Sequence, residues 1–255
     1  MGNVFHSVEA SDLDSLDNLV RKIFSTKMDF LFRGHADSEW SLDTTLDRLF
    51  RRIKPIGIDL DSTEDYVLNM FIKVLRGRTA ISKDIKNNRN EIWVLGQHYG
   101  LATPLLDWTE SFYVALFFAC NDPTPPKCGF RTVWALHKNG IMDAMQKYNS
   151  TAAINNKFEF VDILTDHNPR LTSQSGILTR QPLGFNIKDW LCEKLPNEEN
   201  PHLIEIKFPD SIRINALKHL RLMGIHNSSL FPDVGGAARY CNDTLELMAD
   251  IRKMT

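Results

Sequence analysis

Two short stretches hold most of the chemically useful side chains in this chain. One is Phe32-Arg33-Gly34-His35; the other runs from Gln97-His98-Tyr99-Gly100 through Thr103 to Asp107-Trp108-Thr109. An arginine presents a planar fork of donors suited to phosphate or carboxylate, while amide, imidazole and hydroxyl groups orient polar ligands and an indole offers a stacking face. A cluster of this kind, where a strand hands over to a helix, is where function is usually built. Other chemistries lack their minimum support. There is no His-Glu-x-x-His, Gly-x-Ser-x-Gly, P-loop or Gly-x-Gly-x-x-Gly string, and Cys120, Cys128, Cys192 and Cys241 show no Cys-x-x-Cys or zinc-finger spacing. A metal-dependent nuclease would rest only on Asp37, Asp43, Asp47 and Asp107.

These residues need elements to position them. Apolar positions Leu13, Leu16, Leu19, Val20, Ile23 and Phe24 recur at helical spacing after Ser11, which predicts a capped helix over about 11–25. Residues 28–32 are nearly all apolar and read as a central strand with Arg33 at its C-terminal end. Helices follow over 41–52, from a Thr63 cap, and around Trp93. Leu105-Leu106 begins a strand that leads through an Asp107-Trp108-Thr109 turn into an apolar helix at 112–119. Strands are expected at 132–136 and 203–208, with helices at 216–223 and 243–253 and turns at 55–57 and 231–236. The segment 147–157 reads as a surface connection. Strands interspersed with helices, with no repeat and no linker, predict one α+β domain over 1–255: a central sheet flanked by helices, with the motif core at about 28–233.

At 255 residues with 43% apolar composition the chain is long enough to bury a sizeable core. A net charge of −2 announces no nucleic-acid or membrane surface, and the Arg51-Arg52 and Arg76/Arg78 runs read as solvated helix faces. No stretch approaches the ~18 apolar residues of a membrane span, and the N-terminus lacks a secretory pattern. With unpaired cysteines this places the expected home in the reducing cytoplasm.

Each candidate also has a plain structural reading. Arg33 would lock a loop by pairing with a carboxylate, and His98 and Tyr99 would end a helix as satisfied core groups. Either Asp107 or Thr109 would cap the helix that follows, leaving the other for a ligand. Trp108 would be core.

The residues Phe32-Arg33-Gly34, Glu39-Trp40, Arg48, Gln97-His98-Tyr99-Gly100-Leu101, Thr103 and Leu105-Leu106-Asp107-Trp108-Thr109 resemble the FRG domain family. So do Ala115-Leu116, Phe118-Ala119, Arg170, Gln174, Gly176 and Phe231-Pro232-Asp233. Ala102 and Pro104 stand where family members usually have proline and arginine. The layout is also similar to ADP-ribosyltransferase folds, which implies an NAD cofactor. On that resemblance Arg33, Asp107 and Gln174 are the catalytic candidates, and Gly34, Gln97, His98, Tyr99, Trp108, Thr109 and Arg170 the ligand-binding ones; no metal ligand is assigned. Gln174 takes the place of a glutamate, with Glu205 as fallback, and a neutral amide cannot stabilise the cationic ribose of group transfer by charge.

The resemblance implies an NAD-linked ADP-ribosyltransferase-like toxin or anti-phage effector, acting on a protein or nucleic-acid acceptor. The alternative is a non-catalytic nucleotide-binding or regulatory module with the same fold. Arg33, Gln97, His98, Asp107, Trp108, Thr109, Arg170 and Gln174 are expected to line one cleft.

Overall fold

The computed structural model describes residues 4–25, 29–53, 60–78, 88–148, 158–161, 176–195 and 200–253. Met28, the 55–57 turn, most of the 147–157 connection, Arg170 and Gln174 lie outside the described residues. In chain order the first elements are β1 (Phe5–Glu9), α1 (Leu13–Phe24), β2 (Phe30–His35), α2 (Thr45–Ile53), α3 (Leu60–Leu75) and α4 (Arg89–His98). Next come β3 (Leu105–Thr109), α5 (Phe112–Asn121), β4 (Phe130–His137), α6 (Lys138–Tyr148), β5 (Glu159–Val161) and β6 (Gly176–Arg180). The chain continues with α7 (Ile187–Lys194), β7 (Leu203–Pro209), α8 (Arg213–Leu222), α9 (Asn227–Leu230) and α10 (Val234–Lys253).

The strands form one mixed sheet in the order β1-β7-β4-β2-β3-β6-β5, so the fold is α+β. Only β1 and β7 run parallel; the other pairs are antiparallel. Alternation along each strand sends side chains to two helix-covered faces. On one face Phe30, Phe32, Val133, Ala135, Ile204 and Ile206 pack with α1, α5 and α8. On the other, Leu31, Trp134, Leu136 and Leu203 pack with α6 and α7, and a third cluster joins α3 and α4 to Leu105 and Leu178.

Several boundaries differ from the sequence reading for local reasons. Strand β2 does not stop before Arg33: it runs on through His35, because β4 pairs with every residue from Phe30 to His35. The cap of α1 is Asp12, which accepts from Ser15 in a capping box, while Ser11 donates to the Asp12 carboxylate. Thr63 lies inside α3, one turn after its start. Gly235 and Gly236 fall within α10, which therefore starts well before residue 243; Asp233 Oδ1 accepts from Gly236 N at 2.8 Å. Strands β1, β5 and β6 and helices α6 and α7 were not anticipated.

Gly34 faces α5, not the ligand side its assignment required. A β-carbon there would lie 1.9 Å from the Ala115 carbonyl oxygen and 2.6 Å from Ala119 N, so the glycine lets α5 settle directly on β2. Gly34→Ala is expected to destabilise the fold by about 3 kcal/mol, since backbone has to move. A lowered urea midpoint is the check, and a wild-type midpoint would show that the helix has room to shift.

Candidate functional site

The β2–β3 ladder consists of a single register pair, Phe32 with Thr109. Continued, that register would set Arg33 against Trp108 and Gly34 against Asp107, but the strands part instead. Beyond the parting the Asp107 carbonyl accepts from Arg33 Nη1 at 2.7 Å, and the Asp107 carboxylate lies 3.9 Å from the same nitrogen. A side chain thus does the work of a missing backbone partner.

Arg33 is held from behind by His35, two residues along the same strand and hence on the same face. Arg33 Nε donates to His35 Nε2 at 3.1 Å, and His35 Nδ1 lies 3.2 Å from the Trp40 carbonyl. Because a guanidinium only donates, Nε2 must accept, which leaves the proton on Nδ1 and the bond to Trp40 donated from there. The imidazole is therefore neutral. Burial, and then the Arg33 charge, push the His35 pKa down to about 3. For Arg33, burial lowers the pKa and Asp107 opposes it, with Arg48 near enough to lower it further. The guanidinium stays charged.

On the other side of the parting, Gln97 at the end of α4 donates from Nε2 to Asp107 Oδ1 at 2.7 Å. Its Oε1 accepts from the buried Thr103 hydroxyl at 2.5 Å. Thr103 in turn is fixed to the start of α2: its N–H donates to Thr45 Oγ1 at 2.8 Å, and its carbonyl accepts from Leu46 N at 3.1 Å. A continuous relay runs from Trp40 through His35, Arg33, Asp107 and Gln97 to Thr103. Its donor senses follow from two fixed members, the Arg33 guanidinium that only donates and the Asp107 carboxylate that only accepts. Its outward-facing groups are the Asp107 carboxylate, 59% exposed, and Arg33, 21% exposed, whose Nη2 has no hydrogen-bond partner among the described residues.

The structure brings together Arg33, Gln97 and Asp107 from the expected set, with His98 and Tyr99 exposed beside them. It separates Trp108 and Thr109 from any ligand. Trp108 is buried in β3 and donates from its indole to Thr179 Oγ1 at 2.9 Å, while buried Thr109 accepts from Ser111 N. Asp107-Trp108-Thr109 is strand, not turn. Neither Asp107 nor Thr109 caps α5: Ser111 does, accepting from Val114 N. The placement of Arg170 and Gln174 is not among the described residues. Arg180 is tied to Glu64 and Glu159 as a clamp between α3, β5 and β6. Glu205 shares a cross-strand row with Trp134 and Arg33 but is buried, with Oε2 facing Ser7 and Lys207.

His35, Thr103 and Arg48 were missed as site residues. The i, i+2 spacing of Arg33 and His35 on a strand was signal enough for the first; Thr103 is recognisable only once α2 and β3 meet. The nuclease idea loses its ligands, since Asp37 accepts backbone N–H groups and Asp47 accepts from Thr44 and Gly184 N. Among the described residues no three His, Cys, Asp or Glu side chains converge on a point. The four cysteines are free, and burial pushes the Cys120 thiol up to about 12, which removes it as a nucleophile. None of the described helices is long and apolar enough to cross a membrane.

The fold and site define an α+β domain with a polar relay at a parting in its sheet. The family model of the FRG domain matches residues 28–128, the span from β2 through α5 that holds Arg33, Gln97, Thr103 and Asp107. The further motif residues at 170–176 and 231–233 fall outside the matched span. No curated protein and no solved structure matches the chain.

Neutral His35 couples the site to pH. Between its folded pKa of about 3 and the ordinary 6.5, the unfolded chain binds the proton and the folded one does not. Its contribution is thus fully present above 6.5 and is lost as pH falls towards 3, with a slope of up to about 1.4 kcal/mol per pH unit. Urea titrations across acid pH should show this slope flattened in His35→Gln, which still accepts from Arg33 but does not titrate. An unchanged slope would mean that His35 titrates normally.

Proposed function

We propose that this FRG domain is a nucleotide-binding module whose anion anchor is Arg33. The observation that carries the reading is the guanidinium fixed at the sheet parting, with Nε and Nη1 held from within and Nη2, at a partly exposed edge, without a hydrogen-bond partner among the described residues. Such a fork accepts a phosphate by charge-assisted hydrogen bonds with little rotamer entropy left to lose. The exposed Asp107 carboxylate beside it accepts from ligand hydroxyls or amines, and Gln97 holds it in place. NAD is the first ligand to test, because it carries phosphates, hydroxyls and flat rings together.

A second reading, ADP-ribosyl transfer, draws on the row that sets Glu205 two strands from Arg33 on the same face. Transfer needs a carboxylate beside the ribose, and Glu205 is the one acidic side chain in that row. Its burial weighs against the reading. A toxin or anti-phage role depends on this second reading alone.

Calorimetry with NAD and simple nucleotides decides the first proposal. Arg33→Lys keeps the charge but loses the fork, and is expected to weaken binding about tenfold to a hundredfold while circular dichroism stays native. Binding that is absent in the wild type, or untouched by the substitution, ends it. For the transfer reading, labelled NAD should release nicotinamide in the wild type and not in Glu205→Gln; no release across protein and nucleic-acid acceptors rejects it.

A further inference from the structure

We infer that the margin of the Arg33 site is a docking surface for single-stranded nucleic acid, so that the phosphate met by Arg33 belongs to a strand. The inference rests on the nucleotide reading and adds the polymer to it. Between residues 33 and 52 the sequence holds four acids and four arginines: Asp37, Glu39, Asp43 and Asp47 lie between Arg33 and the run Arg48, Arg51 and Arg52. On paper these cancel. In the fold most of them separate by direction, and of the four acids Glu39 alone stays exposed.

Asp37, Asp43 and Asp47 are buried. Asp37 accepts from the N–H groups of Glu39 and Lys127, Asp43 faces Ser41 and Arg51, and Asp47 accepts from Thr44, Gln181 and Gly184. The arginines of α2 remain outside. Their i, i+3 and i+4 spacing puts Arg48, Arg51 and Arg52 on neighbouring positions of one helix surface, and all three are exposed. Arg48 donates to the Asp43 carbonyl at 2.6 Å, and Arg52 has no partner among the described residues. Thr103, which donates to Gln97 in the relay, also bonds to the start of α2, so the helix that carries these arginines is fixed to the site. The bonds from Thr45 and Leu46 to Thr103 fix α2 against the chain entering β3.

Exposed rings stand at both ends of the relay. Trp40, whose carbonyl holds His35, is 51% exposed, and Tyr99, two residues after Gln97, is 74% exposed. Large aromatics left in water beside cations are the parts from which sequence-tolerant strand binding is built: the rings stack bases and the guanidiniums follow phosphates. An acidic peptide would use the arginines but leave the rings idle. Duplex DNA would hide the faces that the rings need.

The test uses the full chain and a fluorescein-labelled single strand of about 12 nucleotides, read by anisotropy between about 50 and 200 mM salt. Binding should weaken with salt, and Arg48→Gln combined with Arg52→Gln should reduce the log–log slope by about 1.4, at ~0.7 per phosphate contact. Trp40→Ala, at a half-exposed position, should weaken binding about tenfold with the slope unchanged. Arg21→Gln with Lys22→Gln, on α1, should leave the strand bound as in the wild type. No strand binding overturns the inference, as does equal binding of a duplex, equal competition by an acidic peptide, or equal loss from the α1 changes. If NAD binds in calorimetry and the strand does not, this inference fails alone; if neither binds, the nucleotide reading fails with it.

Discussion

In an antiparallel ladder each inward carbonyl is satisfied by an N–H of the next strand, and between β2 and β3 that provision stops after Phe32 and Thr109. The Asp107 carbonyl is left to Arg33. That bond joins the two strands where the ladder has stopped, so the arginine has a structural task whether or not a ligand is present. This explains the order of the parts around it. His35 accepts from the guanidinium and is forced neutral, its Nδ1–H then donates to the Trp40 carbonyl, and Gln97 steadies the carboxylate that balances the charge. The binding and structural roles of Arg33 are one arrangement, because the bonds that aim the guanidinium also close the sheet.

Close approach of helix and strand is the second constraint. Gly34 brings the α5 backbone onto β2, and Ser111 starts α5 directly after β3. Since α5 packs on β2, β3 and β4, its position fixes where β3 leaves β2. The parting is thus set by helix packing in the core and only completed by polar groups at its rim. The opposite rim is fixed in the same manner by Thr45 and Thr103, which tie α2 to the approach of β3.

Much of this was legible in the sequence. The apolar runs at 30–32, 105–106 and 112–119 fix elements whose burial depends on local pattern alone, and the α+β class follows from their alternation. The misses share a cause. Strand β1, Phe-His-Ser-Val-Glu, is an edge strand whose pairing with β7 spans nearly the whole chain, so no local pattern reports it. Arg33 looked like a strand end because polar residues usually mark one; here the strand continues beneath a polar site. Asp107 and Thr109 fit a cap motif, but Ser111 stood two residues nearer the helix. Trp108 looked like a platform until β6 supplied Thr179 as its hydrogen-bond partner. Gly235-Gly236 looked like a breaker, whereas Gly236 is needed where the helix start meets the Phe231 carbonyl, only 1.9 Å from where its β-carbon would sit.

Backbone ladders are nearly indifferent to residue identity, so most of a sheet tolerates exchange of one suitable side chain for another. The junction of β2 and β3 lacks that indifference. Here two panels, β1-β7-β4-β2 and β3-β6-β5, share one backbone pair, and part of their remaining cohesion is written in side chains. Spelling therefore matters at this seam. It is also where Phe-Arg-Gly and Leu-Leu-Asp-Trp, both inside the span that the family model matches, lie side by side.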